Sequence, residues 1–372
     1  MKNSTSFAVA GAGVFGAWIA FTLRRAGHTV TLFDPYGPAH ARASSGGESR
    51  IIRCSYGADE VYTRMAQRSL TLWKEFFAAI DKPQLFQRTG VLWLTEPNDA
   101  HAQASRAVLR RCDIEFEHLS AAELRQRYPQ IHAPSAVGAI FEPDAGALMA
   151  RQAVQAVVEE FVRIGGTYQQ TALPAPDKAS LLSDVLIYAS GPWLGKLFPE
   201  ILGARLFVTR QEVLFFGIPA GDLRFQAPQL PIWLDFGSER GMYGFPDLEA
   251  RGFKLACDRH GPAMDPDTAD RLISESTVRQ MRAYLAERFP ALAESPIVEA
   301  RVCQYENTSN GDFVIDRHPE YENVWFAGGG SGHGFKHGPA VAEYLIQALD
   351  GGAMEGRFLL ESKNTAQSRT VV

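Results

Sequence analysis

Two glycine-rich turns lie near opposite ends of this 372-residue chain, and each follows a short apolar run. The first covers residues 11–16 and reads Gly-Ala-Gly-Val-Phe-Gly; the second covers residues 328–336 and reads Gly-Gly-Gly-Ser-Gly-His-Gly-Phe-Lys. A nicotinamide-binding domain usually completes its site within one contiguous βαβ block, whereas many folds that bind FAD return their last strand to the cofactor domain. The two turns therefore favour one FAD site built from both ends of the chain.

The first turn has the neighbours of a dinucleotide-binding turn. An apolar run precedes it, a helical pattern follows it, and a second apolar run over residues 29–33 ends at Asp34. The glycines allow a tight turn and close approach to a pyrophosphate, and the helix N-terminus favours phosphate charge. We expect Asp34 to bind the adenosine ribose and to disfavour the 2′-phosphate of NADP. Without its flanking strands and acid, the motif would indicate only a glycine-rich helix start. The predicted cofactor-binding residues here are Gly11, Gly13, Val14, Phe15, Gly16, Asp34 and Pro35.

The composition is that of an ordinary globular protein, with 46% hydrophobic and 21% charged residues. The net charge of −5 gives no reason to expect a nucleic acid or a membrane as partner, and no apolar run is long enough to span a bilayer. The cysteines lack metal-ligand spacing, so neither a zinc site nor a disulfide framework is expected, and a cytoplasmic location is predicted. These cysteines are Cys54, Cys112, Cys257 and Cys303.

The order of apolar and polar segments predicts a mixed α/β fold, in which a Rossmann-like FAD-binding domain is intertwined with a substrate domain built on a mostly antiparallel sheet. The FAD-binding domain is expected over residues 1–80, 142–205 and 300–365, and the substrate domain over residues 81–141 and 206–299. Helical patterns cover residues 60–80, 98–128, 148–164 and 267–289. Strand patterns cover residues 90–95, 138–141, 184–189, 206–209, 212–217, 231–234, 242–245, 252–257 and 297–306.

Arg301, Cys303 and Tyr305 alternate along the last of these strand patterns, so they are expected to share one face of the strand. A cationic neighbour favours the thiolate, which is the reactive form of cysteine. The alternative is an inert cysteine packed on a strand, as most free cysteines are.

Arg50 and Arg53 follow the small residues 44–47, which offer a backbone cradle for a phosphate or for the edge of a flavin. Their spacing places them on one face if the segment is helical. Arginine is always charged and matches a carboxylate with two hydrogen bonds. A pair of surface salt bridges would explain the same pattern.

Lys254 lies between two apolar residues in a strand pattern, so its side chain either faces solvent or is held inside for a reason. A lysine directed at a flavin would stabilise negative charge that develops on the flavin or on reacting oxygen. His333 and Lys336 in the second turn present the same choice, and lysines on loops are mostly solvated.

Together these segments resemble the monomeric sarcosine oxidase family, which includes N-methyltryptophan and pipecolate oxidases, within the wider D-amino-acid-oxidase-like flavoproteins. The resemblance spans nearly the whole chain. It is carried by residues 11–16, 47–53 (Gly-Glu-Ser-Arg-Ile-Ile-Arg), 243–246 (Tyr-Gly-Phe-Pro), 253–255 (Phe-Lys-Leu), 302–305 (Val-Cys-Gln-Tyr), 313–319 (Phe-Val-Ile-Asp, then His-Pro) and 331–336.

The resemblance implies that Cys303 attaches FAD covalently through the 8α carbon, and that Arg53 and Lys336 bind the substrate carboxylate. It also implies that Lys254 lies near flavin N5 and activates oxygen, and that Arg50 lies beside the flavin. The predicted catalytic residues are Lys254, Arg50, Arg53, Lys336, Tyr243, Tyr305 and Asp258, where the two tyrosines line the substrate cavity. The remaining predicted cofactor-binding residues are Ser44, Ser45, Arg50, Cys303, Gly330, Gly332, His333, Gly334, Phe335 and Lys336.

The chain departs from the sarcosine oxidases at two places. Ser45 and Gly46 stand where the family carries a pair of histidines, and Asp258 stands where it carries a histidine in the substrate cavity. An anion there would repel a carboxylate or recruit a cation, so sarcosine is expected to be a poor substrate and a bulkier secondary or cyclic amino acid a better one.

The expected function is oxidation of an amino-acid-like secondary amine to an imine by hydride transfer to flavin N5, with reoxidation by O2 that yields hydrogen peroxide. The protein is expected to be a monomer. Three alternatives remain open: a dehydrogenase that passes electrons to a protein or a quinone, a non-catalytic flavin-binding protein, and an NAD-dependent dehydrogenase. The last leaves the second turn unexplained.

Overall fold

The computed structural model describes residues 5–134, 137–176, 183–237 and 240–365. The strands within these ranges are β1 (Ser6–Ala10), β2 (Thr29–Phe33), β3 (Arg50–Ile52), β4 (Phe86–Gln87), β5 (Val91–Thr95), β6 (Glu117–Leu119), β7 (Gly138–Glu142), β8 (Gly146–Leu148), β9 (Thr167–Gln169), β10 (Val185–Tyr188), β11 (Leu206–Phe216), β12 (Ile232–Asp235), β13 (Met242–Phe245), β14 (Phe253–Cys257), β15 (Ile297–Thr308), β16 (Val314–Arg317) and β17 (Val324–Gly328). The helices are α1 (Val14–Arg25), α2 (Glu60–Ala79), α3 (Ala100–Arg111), α4 (Ala121–Arg127), α5 (Ala150–Arg163), α6 (Leu194–Leu197), α7 (Pro199–Leu202), α8 (Glu275–Arg288) and α9 (Gly338–Leu349).

One six-stranded sheet joins the two ends of the chain, in the order β16-β17-β10-β1-β2-β9. Its strands are parallel except for the edge strand β16. Because β1 and β17 are parallel and only β10 separates them, the glycine-rich turns that follow them lie at the same edge of the sheet. The topology thus brings the two turns together, and their use as one cofactor site stays a prediction.

Helix α1 is buried on nearly every side, as expected for a helix whose residues are almost all apolar or small. It packs against α5 and α9. A Cβ atom on Gly338, the first residue of α9, would lie 2.6 Å from Val14 Cγ2, so only glycine permits this close approach of the two helices. The N-terminus of α1 therefore has a fixed position beside the second turn.

An eight-stranded sheet has the order β15-β11-β14-β13-β12-β5-β7-β6, and every pair in it is antiparallel except β12 with β5. The register places Cys303 of β15 opposite Gln211, and Lys254 of β14 opposite Phe215. The mixed α/β fold with a mostly antiparallel second sheet is thus confirmed. The expected domain boundary at residue 300 falls inside β15, which pairs with β11 along its whole length in this sheet.

A small sheet of β3, β8 and β4 lies beside these two. It pairs Arg50 with Leu148 and so fixes the segment that follows the small residues 44–47. Strand β8 also explains why α5 begins at Ala150 rather than at residue 148, since the preceding residues pair in this sheet.

Two predicted helices are shorter in the structure. Residues 98–128 form α3, β6 and α4 rather than one helix, because Asp113 has a φ of 53° that ends α3 and Ser120 begins α4 with a capping box. Residues 267–289 become helical only from Glu275, after Ser274 caps the first turn of α8. The helix predicted over residues 60–80 is confirmed as α2, and two predicted strands merge into the single β11.

In the part of the chain that the structure describes, no helix is both long and apolar enough to cross a membrane. The four cysteines are free thiols. Among the same described residues, no cluster of three or more histidine, cysteine, aspartate or glutamate side chains has the arrangement of a metal site.

Candidate active site

A first cavity of about 410 Å³ opens at the sheet edge where the two glycine-rich turns meet. Its walls come from the first turn, from residues 33–45, from the segment after β10 and from the second turn. The predicted cofactor-binding residues that line it are Gly11, Gly13, Val14, Phe15, Asp34, Pro35, Ser44, Ser45, Arg50, Gly330, Gly332, Gly334 and Phe335. Cys303, His333 and Lys336 line a neighbouring cavity instead, and Gly16 packs below the first turn.

Steric contacts explain the glycines of the first turn. A Cβ atom on Gly11, whose φ is 101°, would lie 2.4 Å from the main-chain oxygen of Ala189. A Cβ atom on Gly16 would lie 1.8 Å from the oxygen of Gly11. Glycine at these two positions therefore lets the turn pack tightly against the segment after β10 and against itself, which is the tight turn that a dinucleotide-binding motif requires.

Asp34 is 7% exposed and binds the backbone of the turn that it faces. Its Oδ2 accepts from the N–H of Ala12 at 2.9 Å, and its Oδ1 accepts from Tyr36 at 2.8 Å and from Gly37 at 3.0 Å. Within the described part of the chain, Oδ2 accepts only one hydrogen bond and keeps a second lone pair, so this oxygen remains available to a ribose hydroxyl.

Ser45 and Arg50 organise the wall opposite the first turn. The Oγ of Ser45 accepts from the N–H of Val14 at 3.0 Å, which satisfies a free donor at the start of α1. Arg50 donates to the main-chain oxygens of Ser44 at 2.7 Å and Ser49 at 2.8 Å. A Cβ atom on Gly47 would lie 2.4 Å from Arg50 Nη1, so this glycine makes room for the guanidinium.

A second cavity of about 80 Å³ adjoins the first and gathers every predicted catalytic residue. Arg50, Tyr305, Gly332 and Phe335 line both cavities. The residues of the second cavity come from six strands, β3 and β11–β15, from the segments beside them and from the second turn. The charged, thiol, histidine and tyrosine side chains among them are Arg50, Arg53, Tyr243, Lys254, Asp258, Cys303, Tyr305, His333 and Lys336.

Arg53 lies just after β3 with its guanidinium between two aromatic rings. The guanidinium carbon is 4.8 Å from the ring centre of Tyr56 and 4.6 Å from that of Trp93, and the group donates to the main-chain oxygen of Ser55. The surface salt bridge considered for Arg53 is wrong, since this side chain is only 4% exposed. Residues 50–52 form a strand and not a helix, so Arg50 and Arg53 do not share a helix face. Both side chains nevertheless line the second cavity.

Lys336 lies beside Arg53, and among the described residues no carboxylate is hydrogen-bonded to it. Its Nζ donates to the hydroxyl of Tyr56 at 2.8 Å and to the main-chain oxygen of His333 at 2.9 Å. Burial, and after it the charge of Arg53, lowers the pKa of Lys336 well below its usual value. An anion that enters the second cavity would meet two buried cations and relieve their repulsion.

Tyr56 is a site residue that sequence reasoning missed. Its hydroxyl contacts Lys336 Nζ, lies 2.8 Å from His337 Nε2 and 3.3 Å from His333 Nδ1, and its ring covers Arg53. Burial raises the pKa of this hydroxyl above its usual range. Its position three residues after Arg53 is the only signal in the sequence.

Lys254 points inward from β14 and is 4% exposed. Its Nζ donates to the main-chain oxygen of Ser49 at 3.0 Å and to the Ser49 hydroxyl at 3.1 Å, and it lies 4.2 Å from the ring centre of Phe245. Burial, followed by the charge of Arg50, lowers the pKa of Lys254 to about 7. Of the two positions open to this lysine, the structure has the interior one.

Cys303 is a half-buried free thiol at the wall of the second cavity and of a third cavity of about 200 Å³. The cation beside its Sγ is Arg50, whose Nη2 lies 3.5 Å away. The expected role of Arg301 as this neighbour is wrong, because Arg301 pairs with Glu48 at 2.8 Å and also with Glu299. Of the two arginines, only Arg50 contacts the sulfur.

Tyr305 and Asp258 form a hydrogen-bonded pair in the second cavity, with the hydroxyl 2.8 Å from Oδ1. Burial raises the pKa of Asp258, whereas the Tyr305 hydrogen bond and the charges of Arg53 and Lys336 lower it. Burial raises the pKa of the Tyr305 hydroxyl well above its usual value. A carboxyl group therefore faces the same space as the two cations.

The family model described as FAD dependent oxidoreductase (DAO) matches residues 6–348. The chain is 32% identical to a monomeric sarcosine oxidase of Bacillus sp. (strain B-0618), over 94% of each chain. It is 30% identical to the peroxisomal sarcosine oxidase of Mus musculus, over 91% of this chain and 90% of the relative.

A more distant relative is the N-methyl-L-tryptophan oxidase of Yersinia pestis (strain Pestoides F), which is 27% identical over 90% of this chain and 92% of its own length. Among solved structures, fructosamine oxidase (Amadoriase II) of Aspergillus fumigatus superposes with a TM-score of 0.79 at 22% identity, and the match covers 99% of this chain and 92% of that chain. This last likeness shows a shared fold.

Proposed function

The chain belongs to the FAD-dependent oxidoreductase family whose model matches residues 6–348, and from this premise we propose that it oxidises an amino-acid-like secondary amine to an imine. The observation that carries the proposal is the second cavity, where two buried cations, Arg53 and Lys336, adjoin the cavity that suits a dinucleotide. The names of the relatives, two sarcosine oxidases and an N-methyltryptophan oxidase, support the same substrate class.

The residues that line the first cavity fit FAD. The glycines of the first turn allow its tight packing, Asp34 lines the first cavity beside that turn, and Arg50 lines both this cavity and the second one. When bound there, FAD supplies an acceptor for the hydride that leaves the carbon next to the substrate nitrogen. We propose that Asp34 holds the adenosine, that the first turn and α1 hold the pyrophosphate, and that Arg50 faces the flavin.

Arg53 and Lys336 are proposed to bind the substrate carboxylate. Arg53 is held by stacking between two rings, and Lys336 by its bonds to Tyr56 and to the oxygen of His333, so both are ordered before a ligand arrives. Orientation of the substrate by groups already in place lowers the entropic part of the barrier. The same positive charges disfavour an ammonium group nearby, and hydride can leave only from the neutral amine.

The proposal is tested by mixing the flavin-loaded protein with N-alkyl and cyclic amino acids without oxygen. We expect at least one of them to bleach the flavin absorbance, and the bleached protein then to consume oxygen in step with turnover and to yield hydrogen peroxide. Bleaching without oxygen consumption would support the alternative of a dehydrogenase with another acceptor. If no amine bleaches the flavin, the alternative of a flavin-binding protein without catalysis replaces the proposal.

Replacement of Arg53 by methionine is expected to lower kcat/KM for carboxylate-bearing amines by at least about thirtyfold, because the substrate anion loses a buried ionic partner. The matched control is a substrate in which an amide replaces the carboxylate, for which the loss should be much smaller. Steady-state kinetics on the two substrates give the comparison. Equal losses on both would show that Arg53 does not bind the carboxylate.

Asp258 is proposed to bias substrate choice, because it places a negative charge opposite the two cations. A cation-bearing side chain would gain a partner in Asp258, whereas sarcosine has no cation beyond its own amine. We expect sarcosine to be a poor substrate and Asp258→His to raise the preference for it by roughly tenfold or more. An unchanged ranking of substrates in Asp258→His, or a wild-type protein that already oxidises sarcosine best, would contradict this role.

Asp258→Asn provides the control for size, since it keeps the hydrogen bond to Tyr305 and removes the charge. If the charge of residue 258 decides the ranking of substrates, the preference of the asparagine variant should move toward sarcosine as that of the histidine variant does.

A monomeric state is also proposed, in line with the name of the Bacillus relative. The cytoplasmic location stays a prediction.

A further inference from the structure

Glu306 is a buried carboxylic acid in the wall of the first cavity that none of the roles above uses. It follows Tyr305 on β15 and is 6% exposed. Gly328 and Gly330 of the second turn line the same cavity. The sequence predicts only a strand residue at this position, and a charged residue that is buried in a cavity wall calls for a partner.

One half of the Glu306 carboxyl holds the second turn. Its Oε2 accepts from the N–H of Gly329 at 2.9 Å, and its main-chain oxygen accepts from the N–H of Ser331 at 2.8 Å. A Cβ atom on Gly328 would lie 3.1 Å from Oε1 and 3.3 Å from Oε2, so the glycine leaves room for the acid. The side chain is therefore fixed in its direction.

The other carboxyl oxygen is buried without a partner. Within the described ranges, Oε1 of Glu306 has no hydrogen-bond partner although its own atom is shielded from solvent. A buried polar atom left without a bond costs free energy, and such atoms in folded proteins usually have a partner that the protein alone does not provide. The ligand of the first cavity is the available partner.

The chemistry of this oxygen selects the kind of ligand group. Burial raises the pKa of Glu306 to about 7, and the N–H groups of Gly329 and Gly330 oppose that rise. The carboxyl can therefore be ionised or protonated near neutral pH. A hydroxyl both donates and accepts, so it bonds to Oε1 in either state, whereas a phosphate only accepts and would be repelled by the anion.

The position of Glu306 in the fold indicates which part of FAD lies nearest to it. Asp34 follows β2, and the turn that Glu306 holds follows β17, three strand spacings away in the order β17-β10-β1-β2. At roughly 4.8 Å for each spacing, the two carboxyl groups lie above strands about 14 Å apart. With the adenosine at Asp34, Glu306 is on the flavin side, where the hydroxyl groups of FAD are those of the ribityl chain.

We propose that Glu306 is a cofactor-binding residue whose Oε1 hydrogen-bonds a ribityl hydroxyl of FAD. This inference rests on membership of the FAD-dependent family and not on the identity of the amine substrate. It assigns the acid two tasks, because Oε2 orders the second turn while Oε1 binds the ligand that the turn surrounds.

The test measures binding and needs no turnover, so it is independent of the proposed reaction. Apo-protein is prepared in a Cys303→Ser background, which keeps flavin binding reversible, and titrated by quenching of flavin fluorescence. The probes are FAD and three analogues in which one ribityl hydroxyl at a time is replaced by hydrogen. The variants are Glu306→Ala, which removes both oxygens, and Glu306→Gln, whose single oxygen can accept from the N–H of Gly329 while its NH2 group donates to the ligand hydroxyl.

We expect Glu306→Ala to weaken FAD binding by roughly ten- to a hundredfold, as for loss of one hydrogen bond to a charged group. For one analogue the difference between Glu306→Ala and its background should disappear, and Glu306→Gln should bind FAD within a few-fold of the background. Unchanged FAD binding in Glu306→Ala overturns the proposal. So does a penalty that is the same for FAD and all three analogues, because a purely structural role would lower the Tm of the apo-protein without discriminating among the analogues.

Should Glu306→Ala not fold, the background protein itself decides. If it binds all three analogues as tightly as FAD, no ribityl hydroxyl has a partner in the protein and the proposal is wrong. If one analogue binds roughly tenfold weaker or worse and Glu306→Gln shows the same discrimination, the proposal stands.

Discussion

Replacement of Lys254 by methionine is expected to slow reaction of the reduced protein with oxygen by roughly a hundredfold or more, the usual effect of removing one preorganised charge from an active site. The ammonium group is fixed by two hydrogen bonds to Ser49 and is almost fully buried, so its field acts at low dielectric. Anaerobic reduction by substrate should change far less. Stopped-flow measurement of both half-reactions gives the two rates.

Lys82→Met is the matched control for this variant, because Lys82 is an exposed surface lysine paired with Glu159 and its loss changes the net charge equally. Equal rates of reoxidation in Lys254→Met, the control and the wild type would show that the lysine has only a packing role.

The pH profile gives a second check on the same lysine. Burial lowers the pKa of Lys254 to about 7, so the cation is present below that pH and is lost as the pH rises through it. Negative charge on the bound cofactor would move the transition upward. We therefore expect reoxidation in the wild type to slow as the pH rises above about 7, and the slope to flatten in Lys254→Met.

Acid precipitation of the flavin-loaded protein is expected to leave all of the flavin with the polypeptide, and replacement of Cys303 by serine to release all of it. The reason is that the half-buried Cys303 thiol lies at the wall of the second cavity, which adjoins the proposed flavin site, and Arg50, which lines both cavities, has its Nη2 3.5 Å from the sulfur. Absorbance of pellet and supernatant and the mass of the intact chain give the result.

Cys257→Ser is the control for this experiment, because Cys257 is another half-buried free thiol, on β14. It should retain the flavin in the pellet. Complete release of flavin from fully loaded wild-type protein would contradict covalent attachment, while FAD dependence would still hold.

Several features of the site follow from local sequence. The first turn needs glycine at residue 16 because a side chain there would clash with Gly11, and at residue 11 because a side chain there would clash with Ala189, which follows the adjacent strand β10. Both glycines belong to the motif that the sequence shows. The choice between a solvated and a buried Lys254 is different. Its apolar neighbours allow both, and only the packing of β14 against Ser49, about two hundred residues earlier in the chain, decides.

Tertiary contacts also decide which cation lies next to Cys303, and they overturn the expectation of Arg301. Alternation along β15 correctly places Arg301 and Cys303 on one face, but Glu48 draws the guanidinium away and Arg50 takes its place. Tyr56 and Glu306 could not be predicted for a related reason, because neither belongs to a sequence motif. Tyr56 meets the second turn through Lys336, and Glu306 meets it through Gly329, and both contacts are tertiary.

The sequence by itself determined the class of fold, the cofactor type and most of the residues that line the two cavities, because strand periodicity, turn glycines and charge are properties of neighbouring residues. The tertiary structure decided which charges meet. The pairing of β11 with β15 and with β14 brings Lys254 and Cys303 to one cavity, and the parallel pairing of β10 with β1 and β17 brings the two turns to one edge. Burial at these meeting points then lowers the pKa of Lys254 and leaves one oxygen of Glu306 without a hydrogen-bond partner among the described residues, which no local pattern encodes.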